Sequence, residues 1–560
     1  MKTWKVLHSE PVKKLDEQKI IKILLKNRGL ETKKEIEGFL NPSLDSVTFQ
    51  AVGVDDRELN QTLDLIQKTI KENKWIVIYG DYDVDGICAA AILWETIYAF
   101  YRQVQPYIPH RIDEGYGLSE KGIQNLESKI QNIGLIITVD NGVVAHKAIE
   151  YAKSLGISVI VTDHHVAGDK KLNADAVVHT TQLCGTGIAY LLAKEITNNQ
   201  APMFKPINNE QFNNEEEHLE LVALATVADL VPLNKYNRAL LKSGLEYLRT
   251  TKRLGLLALF DEAQVKKEEI DTYHIGHIIA PRLNASGRIT HALDSLRLLC
   301  TKDAARAKVL AKHLGNINRE RQQITFDSAE EAKNQIRNTK LETQNILVVE
   351  SEMYEQGVIG LIASRLVEEF YKPAIAVSVG EKISKGSARS VSGVNIIELI
   401  RSCSDILSEA GGHPMAAGFS IETIRLEEFK NKLISLAEKL DKNLFQRNLT
   451  IDMELPWNMV GIELCDEIEK LKPFGMGNPQ PVFFVSNVTV SSFKKVGVDG
   501  KHLQLFLEKD GKMLKGIFFR HNGDAIQQGS RVDVVFTPDK HEWNGNISVE
   551  LKIKDIKIIS

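Results

Sequence analysis

Apolar runs of strand length give the middle of the chain its rhythm. Trp75-Ile76-Val77-Ile78-Tyr79, Leu135-Ile136-Ile137-Thr138-Val139 and Ser158-Val159-Ile160-Val161 are apolar on both faces and are separated by stretches with helical spacing. That combination predicts a parallel α/β sheet with helices over both faces. Before it, to about residue 48, the chain reads as short amphipathic helices, as in Ile20-Ile21-Lys22-Ile23-Leu24-Leu25. After it, residues 291–338 are helical and charged and read as a connector. A second, smaller α/β unit is predicted from Ile346-Leu347-Val348-Val349, a helical run beginning at Gly360, and Ala374-Ile375-Ala376-Val377. From residue 448 short strands broken by Gly, Asn and Asp, such as Leu503-Gln504-Leu505-Phe506-Leu507, predict a small β-barrel. The expected organisation is a helical segment (1–48), a parallel-sheet domain (49–290), connecting helices (291–338), a second α/β domain (339–447) and a barrel (448–560).

Composition narrows this picture without redirecting it. At 560 residues, 43% hydrophobic and 26% charged, the chain is globular and too long for one core. Lys and Arg total 70 against 74 Asp and Glu, so bulk charge does not announce a polyanion ligand. Locally the balance differs: residues 491–560 hold 12 Lys and Arg against 9 Asp and Glu. Cys88, Cys184, Cys300, Cys403 and Cys465 are scattered singly, with no C-x-x-C spacing, which fits a reducing, cytoplasmic setting. No apolar run reaches membrane-spanning or signal-peptide length, so no membrane partner is expected.

Acidic and imidazole side chains gather where the predicted strands end, which is where open α/β sheets bind ligands. The first strand runs into Gly80-Asp81-Tyr82-Asp83-Val84-Asp85-Gly86, whose alternate carboxylates would share one face if the segment were extended. The bland alternative is a solvated turn capping the next helix. Two further strand ends weigh against it: Val139-Asp140-Asn141-Gly142 and Thr162-Asp163-His164-His165. A fourth element, Ala225-Thr226-Val227-Ala228-Asp229-Leu230, sets one Asp in an apolar run, where a carboxylate is costly unless paired or metal-bound. Oxygen donors with one or two imidazoles suit Mn²⁺ or Mg²⁺ better than zinc.

In this order the four segments resemble the motifs of the DHH phosphoesterases. The resemblance implies Asp83, Asp85, Asp140, His164 and Asp229 as ligands of two metal ions, with His165 close to the scissile phosphate and Asp81, like it a catalytic candidate, adjacent to the ligands or one contact behind them. Further segments resemble the family's single-strand-specific exonucleases. Pro109-His110-Arg111 with Glu114-Gly115-Tyr116-Gly117-Leu118 is similar to a segment near the 5′ end of DNA, although His110 stands where Asn is usual. Pro281-Arg282-Leu283-Asn284-Ala285-Ser286-Gly287-Arg288 is similar to a DNA-backbone motif, implying roles for Arg282, Asn284 and Arg288. Gly386-Ser387-Ala388-Arg389 looks like a 5′-phosphate pocket, and Gly411-Gly412-His413 like the glycine-rich motif of the DHH-associated domain. Pro473-Phe474-Gly475-Met476-Gly477-Asn478-Pro479 resembles the lead into an OB-fold, with Phe518, Phe519 and Trp543 as candidate base stackers.

What the resemblance implies is a two-metal 5′-to-3′ exonuclease that converts single-stranded DNA to 5′-mononucleotides in repair and recombination. A helicase and a single-strand-binding protein are the implied partners, and a monomer the implied state. Two rival readings share the motifs: a phosphodiesterase of short oligonucleotides or nucleotide bisphosphates, and a DNA-binding scaffold on a dead catalytic domain.

Overall fold

A strand stands where helices alone were predicted. In the computed structural model, β1 (Thr3–His8) alternates exposed and half-buried residues, a period-two pattern too short to outweigh the helical spacing that follows it. The structure describes residues 2–9, 16–111, 113–168, 170–200, 218–339, 341–521, 526–543 and 545–559. They fall into two units, Ser43–Val231 with Tyr236–Phe445, and Met1–Pro42 with Pro232–Lys235 and Gln446–Ser560.

In the larger unit the predicted parallel sheet forms from β2 (Trp75–Tyr79), β3 (Val104–Tyr107), β4 (Ile133–Val139), β5 (Ser158–Asp163) and β6 (Ala176–His179). Their order is β3-β2-β4-β5-β6, all parallel. Ile76, Val77, Ile78, Ile136, Ile137 and Ile160 are wholly buried, as runs apolar on both faces require. On one face Val77, Ile136 and Val159 pack against Ile123, Leu126, Ile149 and Ala152 of helices Glu120–Glu127 and His146–Ser154. Helices Val84–Tyr98 and Gly185–Gln200 lie against the sheet as well. The chain leaves β2 for β3 on one side and returns to β4 on the other. The switch point between β2 and β4 therefore opens a crevice at their carboxyl ends.

The connector is a 35-residue helix, Ala304–Asn338. It leads to a second sheet of β7 (Leu347–Ser351), β8 (Ala374–Ser378), β9 (Ile383–Arg389), β10 (Leu407–His413) and β11 (Ala416–Glu422), in the order β10-β11-β9-β8-β7. Only β7 and β8 run parallel, joined through helix Ile359–Phe370.

The smaller unit carries β12 (Asn448–Glu454), β13 (Phe483–Val496), β14 (His502–Lys509), β15 (Lys512–Phe518), β16 (Arg531–Trp543) and β17 (Asn546–Ile558). Strands β13-β14-β15-β17-β16 close into a five-stranded barrel through the β13–β16 pairing. β12 extends β13, and β1 pairs with β12 in parallel. Ile20, Leu24 and Phe39 of the N-terminal helices share a core with Trp457, Phe483 and Phe536, so the apolar stripe of that segment is satisfied by the barrel.

Candidate metal centre

Four chain segments deliver the acidic and imidazole groups to the crevice. After β2, Asp83 caps helix Val84–Tyr98, its Oδ1 accepting the N–H groups of Asp85 at 2.9 Å and Gly86 at 3.1 Å. Asp85 lies in the first turn of that helix. The three carboxylates thus converge through a helix start and not along the extended face that their spacing predicted. Asp85 is held in turn by the start of helix Gly185–Gln200: Oδ2 accepts Gly185 N–H and Oδ1 accepts Thr186 N–H, each at 2.7 Å. A Cβ on Gly185 would meet the Cβ of Asp140 at 2.6 Å, so only glycine lets these segments approach. Asp140 follows β4 in a left-handed conformation at φ +62. His164 and His165 follow β5, and Asp229 ends the apolar helix Leu219–Ala228.

The convergence is tight. His164 Nε2 lies 3.1 Å from Asp140 Oδ1, 3.5 Å from Asp229 Oδ2 and 3.7 Å from Asp85 Oδ2. Three sets of donor atoms each fall within 4.8 Å of one another: Asp81, Asp83 and Asp140; Asp85, His164 and Asp229; Asp140, His164 and His165. Burial and mutual repulsion push the carboxyls of Asp81, Asp83 and Asp140 above the usual carboxylate range. Burial beside Asp85 and Asp83 pushes Asp229 up to about 9. Burial pulls His164 down. Asp81 Oδ1, Asp140 Oδ1 and His164 Nε2 are buried and have no hydrogen-bond partner among the described residues. Buried polar atoms without partners are costly, and divalent cations would satisfy all three. The donors fit such ions: hard oxygens dominate, with few imidazoles.

Residues 75–226 match the DHH family, N-terminal domain, 343–439 the DHHA1 domain and 451–555 the RecJ OB domain. A single-stranded-DNA-specific exonuclease RecJ of Bacillus subtilis (strain 168) is 33% identical over 98% of this chain and 70% of its own length. The single-stranded-DNA-specific exonuclease RecJ of Escherichia coli (strain K12) is 30% identical over 96% of this chain and 95% of its own. The chain belongs to the RecJ family. The crystal structure of RecJ from Thermus thermophilus in complex with Mn²⁺ has a TM-score of 0.82 at 26% identity, over 99% of this chain and 79% of that one. Its Mg²⁺ complex gives 0.73 at 25%, over 99% and 78%.

Around this RecJ-family centre the other expected residues take varied places. Arg111 lies over the Tyr82 ring at 4.8 Å. Ser387 and Arg389 sit together on β9, Arg389 Nη1 donating to Ser387 Oγ at 3.1 Å. Arg288 is partly buried and donates to the Gly357 carbonyl at 3.2 Å; desolvation and the neighbouring Arg111, Arg321 and Arg389 lower it to about 10. Arg282 is engaged by Glu262 at 2.7 Å, and Asn284 Oδ1 accepts Val84 N–H at 2.9 Å, so both hold the protein to itself. Gly411 and Gly412 are exposed on β10, and the His413 ring stacks at 6.4 Å on that of His165. Phe518 belongs to the barrel core at 9% exposure, which removes it as a base stacker; Phe519 is 54% exposed. The side chain of Trp543, at the end of β16, lies outside the described residues.

Sequence reasoning passed over two groups. Gly185 and Thr186 carry no chemistry of their own and act only by meeting Asp85 across the fold. Asp163 looked like part of a ligand motif, but its Oδ1 holds His165 Nδ1 at 2.8 Å while its Oδ2 accepts Val143 N–H. Burial opposes charge on His165, yet Asp163 outweighs it and raises the imidazole.

Proposed function

We propose that this RecJ-family chain is a metal-dependent exonuclease that hydrolyses single-stranded DNA from its 5′ end, releasing 5′-mononucleotides with two Mn²⁺ or Mg²⁺ ions. The observation that carries the reading is the buried donor cluster, in which Asp140 Oδ1 lies 3.1 Å from His164 Nε2 and so brings two donor sets side by side. Asp81, Asp83 and Asp140 would hold one ion, and Asp85, His164 and Asp229 the other. Bound there, divalent cations neutralise phosphate charge and activate water for in-line attack. Asp163 orients His165 beside the phosphate and favours its protonated form. Ser387, Arg389 and Arg111 form a charged fork suited to a terminal 5′-phosphate. Gly411 and Gly412 leave a bare backbone for the strand to approach, and His413 donates to it. Water attacks the second phosphorus and the terminal 3′-oxygen leaves with a proton. Each cleavage thereby frees one 5′-mononucleotide and leaves a new 5′-phosphate for the same pocket.

Apart from the N-terminal helices, which share the barrel's core, the domain limits expected above serve as the working modules, with residues 448–560 tracking the strand through exposed Phe519 and a modest local excess of basic residues. In this reading the chain works as a monomer on strands opened by a helicase and coated by a single-strand-binding protein, in repair and recombination, in the cytoplasm, a reducing setting that its five free cysteines suit. No helix among the described residues is long and apolar enough to cross a membrane. Short-oligonucleotide phosphodiesterase activity gives the barrel nothing to do, and a dead scaffold has no use for an intact set of acidic ligands.

The test is cleavage with Mn²⁺ of single-stranded DNA, duplex DNA and a dinucleotide side by side. The single strand should be degraded, the blunt duplex spared, and a chelator should stop the reaction. Cleavage of the dinucleotide alone would replace this reading with the short-substrate one.

A further inference from the structure

One aromatic ring borders the metal centre without belonging to its donor set. Tyr116 stands between Gly115 at φ +85 and Gly117 at φ +67. A Cβ on Gly117 would lie 3.3 Å from the Cβ of Asn141, whose Oδ1 accepts Leu118 N–H at 3.1 Å. Asn141 Nδ2 donates to the carbonyls of Tyr79 at 3.2 Å and Val139 at 2.9 Å, the last residues of β2 and β4. The turn carrying Tyr116 is thus clamped to the strand ends that precede Asp81 and Asp140. Its ring stands edge-on to Tyr82 at 6.2 Å and to His165 at 5.9 Å between centroids. Its hydroxyl lies 3.3 Å from His165 Nε2, 3.5 Å from His165 Nδ1 and 3.2 Å from the Asp140 carbonyl oxygen. Yet Tyr116 is 50% exposed, so filling the core does not explain this placement.

Resting on the function proposed above, we infer that Tyr116 is a positioning residue that fixes the His165 imidazole against the substrate phosphate. Asp163 grips the ring at Nδ1 only, and a ring held at one atom can rock about that bond. The hydroxyl, slightly nearer Nε2 than Nδ1, supplies a second point of attachment. It suits either charge state of the ring, because a phenol both donates and accepts. It donates to a bare Nε2, or it accepts from Nε2–H while donating to the Asp140 carbonyl. The same hydroxyl therefore ties the imidazole to the backbone of the proposed ligand Asp140.

Tyr116→Phe keeps the ring and removes only the hydroxyl. On 5′-labelled single-stranded DNA with Mn²⁺, kcat should fall roughly three- to tenfold, as losing one hydrogen bond implies, with KM within about twofold. The Mn²⁺-induced rise in Tm should be unchanged. In a His165→Ala background the same substitution should cost nothing more. A second reading needs no turnover: in the ¹⁵N-histidine-labelled, Mg²⁺-loaded chain, Y116F should move the Nε2 resonance of His165, assigned by its absence in H165A. An equal loss in both backgrounds, a loss confined to KM or to Mn²⁺ response, or an unmoved Nε2 resonance would overturn the inference. A wild-type chain that cleaves no DNA would overturn the functional reading instead, and the resonance alone would then decide the role of Tyr116.

Discussion

Asp140 combines three strains in one residue: a left-handed backbone, a buried carboxyl with an unpartnered oxygen, and carboxylates on several sides. Without cations the group works against the fold, and with them it organises the site. Asp140→Asn should therefore abolish Mn²⁺-dependent cleavage and the Mn²⁺-induced rise in Tm, while the metal-free protein gains about 1 kcal/mol by relief of repulsion. Thermal melts with and without Mn²⁺ check both parts. His218 offers a separate residue-scale test. Burial, with Arg253 adding, lowers it to about 4 despite Glu95 nearby. As pH falls below 6.5 the unfolded chain takes up this proton first, so stability should decline by about 3 kcal/mol between pH 6.5 and 4. Urea unfolding across that range should show the slope, and His218→Leu should flatten it. The acidic ligands were legible in the sequence because a carboxylate in an apolar context is conspicuous. Tyr116, Gly185 and Thr186 were not, because contacts between distant segments create their roles.

At the scale of elements, one buried ion triad ties the helices behind the centre. Arg253 meets Glu95 of helix Val84–Tyr98 at 2.8 Å and Glu220 of helix Leu219–Ala228 at 2.7 Å, with all three side chains nearly buried. These helices carry Asp85 at one start and Asp229 at the other's end. Arg253→Met would strand two buried carboxylates and should cost about 3–5 kcal/mol in urea unfolding. The parallel sheet was readable because runs apolar on both faces fit little else of that length. β1 was hidden because six residues of alternation carry a weak signal, and its partner β12 lies more than 400 positions away. The predicted separate N-terminal segment likewise dissolves into the barrel's core, since an amphipathic stripe does not say which surface will cover it.

In the whole molecule the metal centre and the proposed terminal-phosphate pocket of Ser387 and Arg389 lie within one unit, so that the end of the strand would set which bond is cut. Single strands with a 5′-phosphate should be preferred to those with a 5′-hydroxyl. Arg389→Ala should raise KM for the phosphorylated strand on the order of tenfold and narrow that preference, with kcat changed less. Steady-state kinetics on the paired substrates separate the two constants. The most direct test of 5′-end hydrolysis is a time course of Mn²⁺-dependent cleavage on one single-stranded sequence labelled at either its 5′ or its 3′ end. The 5′ label should leave as mononucleotide from the first time point, while the 3′ label stays on steadily shortening strands. Early release of the 3′ label as mononucleotide, or internal fragments from both substrates, would contradict it.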